Sequence, residues 1–271
     1  MFSYFKKIRR NLASRGALNK YFLYAAGEVL LVVLGILIAL QVDNWNESRR
    51  EQAEVANYLA NLKEALQDDT KSLEYNMEFN ELRLEGIFYI LDQADLLTAR
   101  FTELPWAEYQ YDPKGRNLWP GEIPDTLNRD FTNLAFSMLG RGFGGVALNK
   151  SVINELYATG SFSDIQDQGL KKDIGAYYRY LSQRMEGYAI EEHEEWANEV
   201  TRFLRDQYGI FTLDVSGLED PISLISGRKD VEYQLRYLAL EVNYHCIWAA
   251  HAQDLAREVI RRIETELANQ D

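Results

Sequence analysis

Cysteine is all but absent from this chain. Cys246 stands alone, which excludes an intrachain disulfide framework and a paired-cysteine zinc site, and no Cys–His nucleophile arrangement is evident. It reads as a small buried residue. Histidine is almost as scarce, with only His193, His245 and His251. Di-iron bundles need Glu-x-x-His pairs, but Ile190, Val242 and Trp248 stand three residues before the three histidines. No Gly-x-Ser-x-Gly elbow and no P-loop occur. The glycine cluster Gly140 to Gly145 resembles phosphate-binding loops, yet it follows a helical stretch and lacks the Lys-Ser/Thr pair, so it reads as a flexible loop. The acidic run Glu191 to Trp196 around His193 reads as a solvated face. These gaps make the chain a non-enzyme with no cofactor and no metal site. Proline is missing from 43 to 104, so nothing there forces a helix to stop.

What is present is one long apolar run, Phe22 to Val42. About 20 apolar residues cross a ~30 Å hydrocarbon core as a helix. The ten Val, Leu and Ile residues between Val29 and Leu40 favour insertion by about 3–6 kcal/mol in all, against about 2.5–3.5 for Glu28 at mid-bilayer. Insertion wins, because Glu28 sits near one end. Tyr21 and Tyr24 on one side and Trp45 on the other suit the aromatic belts as interface anchors. The run and its basic flank are too long for a cleaved signal peptide, and no small-x-small site follows, so an uncleaved anchor is expected.

Residues 1–21 hold six basic residues, Lys6, Lys7, Arg9, Arg10, Arg15 and Lys20, and no acid. The other flank, Asp43 to Glu51, mixes both signs. Positive-inside bias places the N-terminus in the cytoplasm and exports residues 43–271, which in a bacterial inner membrane means the periplasm. The whole chain carries −13, leaving −19 on residues 22–271, which excludes nucleic acid as a partner of that part. Membrane lipid is a partner through the run and through the basic tail. In that tail Phe2, Tyr4, Phe5, Ile8 and Leu12 form one side of a short amphipathic helix; a disordered tail that only sets topology is the alternative. Within the run, Glu28, Val32, Gly35 and Ala39 share a face, and the small pair lets a second backbone approach. Glu28 either bonds a partner helix or its own copy there, or snorkels to the interface or is protonated.

The rest reads as all-α: the membrane helix continues into an extracytoplasmic antiparallel bundle. Residues 43–97 form one helix with a seam of Val55, Leu59, Leu62, Leu66, Leu73, Leu84, Ile87 and Leu91, interrupted by Asp69 and Asn80, with Gly86 a candidate break. Residues 101–148 are a long irregular insertion holding four of the five prolines, with a short helix over Asp130 to Leu139 inside it. Its aromatics Trp106, Tyr109, Tyr111, Trp119 and Phe143 are a candidate partner-binding loop, with tucking onto the bundle as the alternative. Asn149 or Ser151 caps a helix over Val152 to Ala158 that stops at Gly160. Asp164 or Asp167 caps one long helix to Tyr208, stopped by Gly209. Asp230 caps the last, to Ala268, whose seam runs from Val231 to Ile263 through His245, with Glu241 one turn away as a candidate bonding partner.

The stretch Lys20 to Arg50, with Gly27-Glu28 and Asn44-Trp45-Asn46-Glu47, resembles a family of uncharacterised single-pass bacterial membrane proteins common in Bacteroidetes and their relatives. Glu155 to Tyr178 is similar to that family's short helix, glycine turn and tyrosine-bearing helix. The resemblance implies a membrane anchor with a helical extracytoplasmic domain and supplies no activity.

Three functions follow as expectations. The first is a structural or accessory subunit of a larger inner-membrane assembly, with a respiratory or photosynthetic complex as host. The second is a periplasmic sensor or ligand-binding module with a pocket around His245 and the tyrosines, signalling through a partner because its 21-residue tail holds no output domain. The third is a homo-oligomer held by the transmembrane face and the first helix.

Overall fold

A computed structural model describes residues 17–100, 119–140, 148–186 and 188–269. Among the described residues there are six helices and no strand: α1 Ala17–Gln93, α2 Arg129–Leu139, α3 Ser151–Thr159, α4 Gln168–Arg184, α5 Tyr188–Tyr208 and α6 Lys229–Ala268. The all-α expectation holds. The chain divides into two units, Met1–Ala56 and Asn57–Asp271, and α1 contributes to both.

In the first unit, α1 carries an 18-residue window apolar enough to cross a membrane, none of it buried. Leu31 is 71% and Ile38 64% exposed. A core helix of a soluble protein buries such a window; a helix apolar all round with no protein cover suits lipid. Residues 1–16 of the basic tail lie outside the described residues.

In the second unit, α1 buries an unbroken row at alternating spacings of three and four. It comprises Leu59, Leu62, Leu66, Asp69, Leu73, Asn76, Asn80, Arg83, Ile87 and Ile90, and Ala94 just past the helix end continues it. This is the pattern of a helix that presents one stripe to its neighbours. Gly86 does not break the helix. It lets α2 come close: a Cβ there would lie 3.2 Å from the Ala135 Cα. The answering seam of α6, Val231 to Ile263, is fully buried, as its spacing predicts. The two helices run antiparallel, with Lys63 opposite Glu264, Thr70 opposite Gln253, Asn76 opposite His245 and Thr98 opposite Arg236. Helices α4 and α5 pack against α6 and each other, and α2 packs against α5.

Local chemistry explains most helix ends. Asn128 caps α2, its Oδ1 accepting from the Phe131 N–H at 2.9 Å. Asn149 Oδ1 accepts from the Ser151 N–H and hydroxyl at the start of α3, which stops at Gly160 with φ +83°. Asp167 caps α4 through the Gly169 and Leu170 N–H groups. Gly209, at φ +69°, follows α5.

Two expectations need correction. The single helix expected up to Tyr208 is two, α4 and α5, because the backbone leaves the helix at Met185 and Glu186. The Met185 side chain is buried there and Glu186 pairs with Lys150 of the α3 entry. Gly187 follows, and glycine inside a helix costs about 1 kcal/mol relative to alanine. Asp230 does not cap α6. It lies inside the first turn, where its carboxylate accepts from the Tyr208 hydroxyl at 2.6 Å, tying α6 to the end of α5.

The Gly86 contact is testable. Gly86→Val should lower stability by about 1–3 kcal/mol, since the group it meets is backbone. Gly175→Ala on α4, where an added Cβ reaches only the end of Arg179 at 3.9 Å, should raise it by about 0.5–1 kcal/mol. Urea titration of both variants checks this; equal responses would refute the close approach.

Candidate functional site

The most unusual chemistry in the second unit lies in its interior. Four of the α1 seam residues are polar, and all four are buried: Asp69, Asn76, Asn80 and Arg83. Asp69, Asn76 and Arg83 each reach a different part of the fold, and Asn80 bonds Asn76 on the same helix.

Asp69 joins three segments. One carboxylate oxygen accepts from the Asn149 N–H at 2.7 Å and the other from the Tyr177 hydroxyl at 2.9 Å. The cap position of α3 is Lys150, not the expected Asn149 or Ser151, but Asn149 bonds Ser151 at the helix start, so a carboxylate on α1 holds the entry of one helix and the middle of another. Burial pushes the Asp69 pKa above the usual carboxylate range, and the two hydrogen bonds and nearby Lys150 oppose that push. Burial and the Asp69 charge push the Tyr177 and Tyr178 hydroxyls above the usual phenol range, so both stay protonated. The Lys150–Glu186 ion pair lies beside this cluster in sequence and ties the α3 entry to the end of α4.

About two turns further along α1, Asn76 Oδ1 meets His245 Nε2 at 2.8 Å. An amide oxygen only accepts, so Nε2 carries the hydrogen. Asn80 Nδ2 donates back to the Asn76 carbonyl at 2.9 Å and to its side-chain oxygen at 3.2 Å. Gln253 of α6 donates to the Thr70 carbonyl at 3.0 Å. Arg83, fully buried, donates through Nη2 to the carbonyl of Leu139 at 2.9 Å. Leu139 is the last residue of α2, where carbonyls lack helical partners and the helix dipole favours a cation. Burial lowers the Arg83 pKa to about 9, which leaves it charged at neutral pH. Burial pushes the Cys246 thiol well above its ordinary value, so it is a poor nucleophile.

This arrangement positions backbone. Among the described residues no three His, Cys, Asp or Glu side chains gather as a metal would need. Each matched bond is worth about 0.5–1.5 kcal/mol net, and stripping one partner costs about 1–3.

The residues singled out from the sequence lie elsewhere. Glu28, Val32, Gly35 and Ala39 are exposed on α1, and a Cβ added at Gly35 would meet nothing within 4 Å. Tyr21, Tyr24 and Trp45 are exposed, and the Arg49 guanidinium lies over the Trp45 ring at 5.0 Å. Trp119 packs edge-on against Phe131 at 5.0 Å, so it tucks onto the core. Trp106, Tyr109, Tyr111 and Phe143 lie outside the described residues, as do Arg141 to Gly145 of the glycine cluster and the side chain of His193. His245 is buried and hydrogen-bonded as expected of a core histidine, with its Nε2 taken by Asn76. Asn76 and Arg83 escaped the sequence reading. The signal for both was there, since they continue the three-four alternation without a gap.

Residues 28–103 match a family of unknown function (DUF6090). The match takes in most of the apolar run and α1 up to its end; Glu155 to Tyr178 lies outside it. No curated protein and no solved structure matches the chain.

The raised Asp69 pKa gives a signed pH dependence. Between the unfolded carboxylate value, about 3.9, and the higher native value, the native chain holds more protons. Stability is therefore full below the unfolded value and falls as pH rises through the native one. Asp69→Asn should flatten that fall. Tyr177→Phe should steepen it and cost about 1–3 kcal/mol at pH 7, because the buried carboxyl loses a donor. Urea midpoints of the detergent-solubilised chain from pH 4 to 8 measure both; a wild-type curve indistinguishable from Asp69→Asn would refute the assignment.

Proposed function

We propose that this protein is a non-catalytic accessory subunit of a larger inner-membrane assembly. It is anchored by residues 22–42, with its N-terminus cytoplasmic and residues 43–271 periplasmic. The observation that carries the reading is on α1: a window apolar on every side and wholly uncovered belongs to the same unbroken helix whose later turns form the bundle seam. Six basic residues and no acid before the window supply the orientation. The open face of Glu28, Val32, Gly35 and Ala39 offers room for a second helix in the membrane. A respiratory or photosynthetic complex is the host class. The interior polar groups support a structural role, since each holds a helix or a helix entry. A sensor would need access to His245, which is enclosed and bonded to Asn76.

Purification of the tagged full chain in mild detergent at its native level tests this. Other membrane proteins should co-elute in fixed ratio, and Gly35→Leu should reduce their yield several-fold. A protein that always elutes alone overturns the subunit reading. Oxidation of Gly35→Cys in a Cys246→Ser background to a covalent dimer would support self-association instead. Protease added to spheroplasts should degrade residues 43–271, and full protection overturns the topology.

A further inference from the structure

We infer that Asp69, Asn76, Asn80 and Arg83 form a register lock: they permit one axial position of α1 against α2, α4 and α6. The inference rests on what the seam would do without them. A row of Leu and Ile at three-four spacing is nearly degenerate, since a slide of one turn, about 5.4 Å, replaces one branched aliphatic residue with another. Apolar packing of this kind tolerates rearrangement and loses uniqueness before stability.

The four polar residues remove that degeneracy. Their spacings are seven, four and three. A slide of three or four residues brings only one of them onto the place of another, and a slide of seven only two. Chemistry forbids even those exchanges, because each place demands a different group. Asp69 must accept from an N–H and a hydroxyl, Asn76 must accept from an imidazole, and Arg83 must donate to a helix-terminal carbonyl. These partners come from the α3 entry, α4, α6 and α2, so every neighbour opposes the same slide. The Gln253 bond to the Thr70 carbonyl adds no such selectivity, since any residue offers a carbonyl there. Buried polar groups seldom stabilise more than apolar residues of the same shape, but a buried polar residue in a helical seam can fix register.

Cysteine crosslinking with a short bismaleimide in the full-length chain reads register directly. In a Cys246→Ser background, Lys63→Cys with Glu264→Cys reports the native position, since the tips of the native side chains lie 3.8 Å apart. Gln67→Cys with Glu264→Cys reports a slide of one turn. In the otherwise native chain only the first pair should crosslink readily. Replacing Asn76, Asn80 and His245 with Leu should raise the ratio of the second product to the first several-fold. Adding Asp69→Leu with Tyr177→Phe should raise it further, to about ten-fold or more over the start. A folded variant, with native helicity and a cooperative melt, that still forms only the first crosslink overturns the lock. Lower melting temperature with native register would mean that the polar groups act on stability alone. If the fully apolar variant does not fold, the ratio in the Asn76, Asn80 and His245 variant decides by the same criterion.

Discussion

The contact of α1 with α6 sets the terms for the whole second unit. It extends from Lys63 and Glu264 to Thr98 and Arg236, and most of it is apolar. Its middle is not, and that middle is costly to build. A guanidinium, a carboxylate, two amides and an imidazole leave water there, and burial alone would penalise each of them. The fold compensates by placing a specific acceptor or donor beside each. The C-terminal carbonyl of α2 must therefore stand at Arg83, and the Asn149 backbone must stand at Asp69. The positions of α2 and of the α3 entry are consequences of the α1 seam.

One backbone thus serves two surroundings. Both stretches of α1 satisfy their peptide groups internally, which is what a helix offers in lipid and in a protein core alike. The difference lies wholly in the side chains. From Val29 to Leu40 they are apolar in every direction; from Leu59 a stripe is buried, and from Leu82 to Leu91 burial extends round most of the helix. The change requires no turn, proline or glycine, which fits a helix of 77 residues.

Reading the chain residue by residue captures much of this and fails in informative places. The α6 seam, the Asp167 cap and the Gly160 stop depend on spacing and on contacts within a few residues, so they were legible. The break between α4 and α5 was not, because the apolar stripe continues past it while Met185 and Glu186 answer to residues far away in sequence. Asp230 looked like a cap for the same reason: its distant partner, the Tyr208 hydroxyl, is invisible locally. Asn76 and Arg83 were passed over because polar residues ordinarily face water.

Composition and periodicity alone established an all-helical chain, one uncovered apolar run near its start, and the stripe each helix would bury. Those properties follow from side-chain hydrophobicity and a 3.6-residue turn, which are local. Only the tertiary structure decided which polar residues in a stripe would be enclosed and what each would bind. Asn76 meets His245 across 169 positions, and Tyr177 meets Asp69 across 108. Pairings at that separation are chosen by the joint packing of several helices, because a buried donor is tolerable only where the other chain segments happen to present an acceptor.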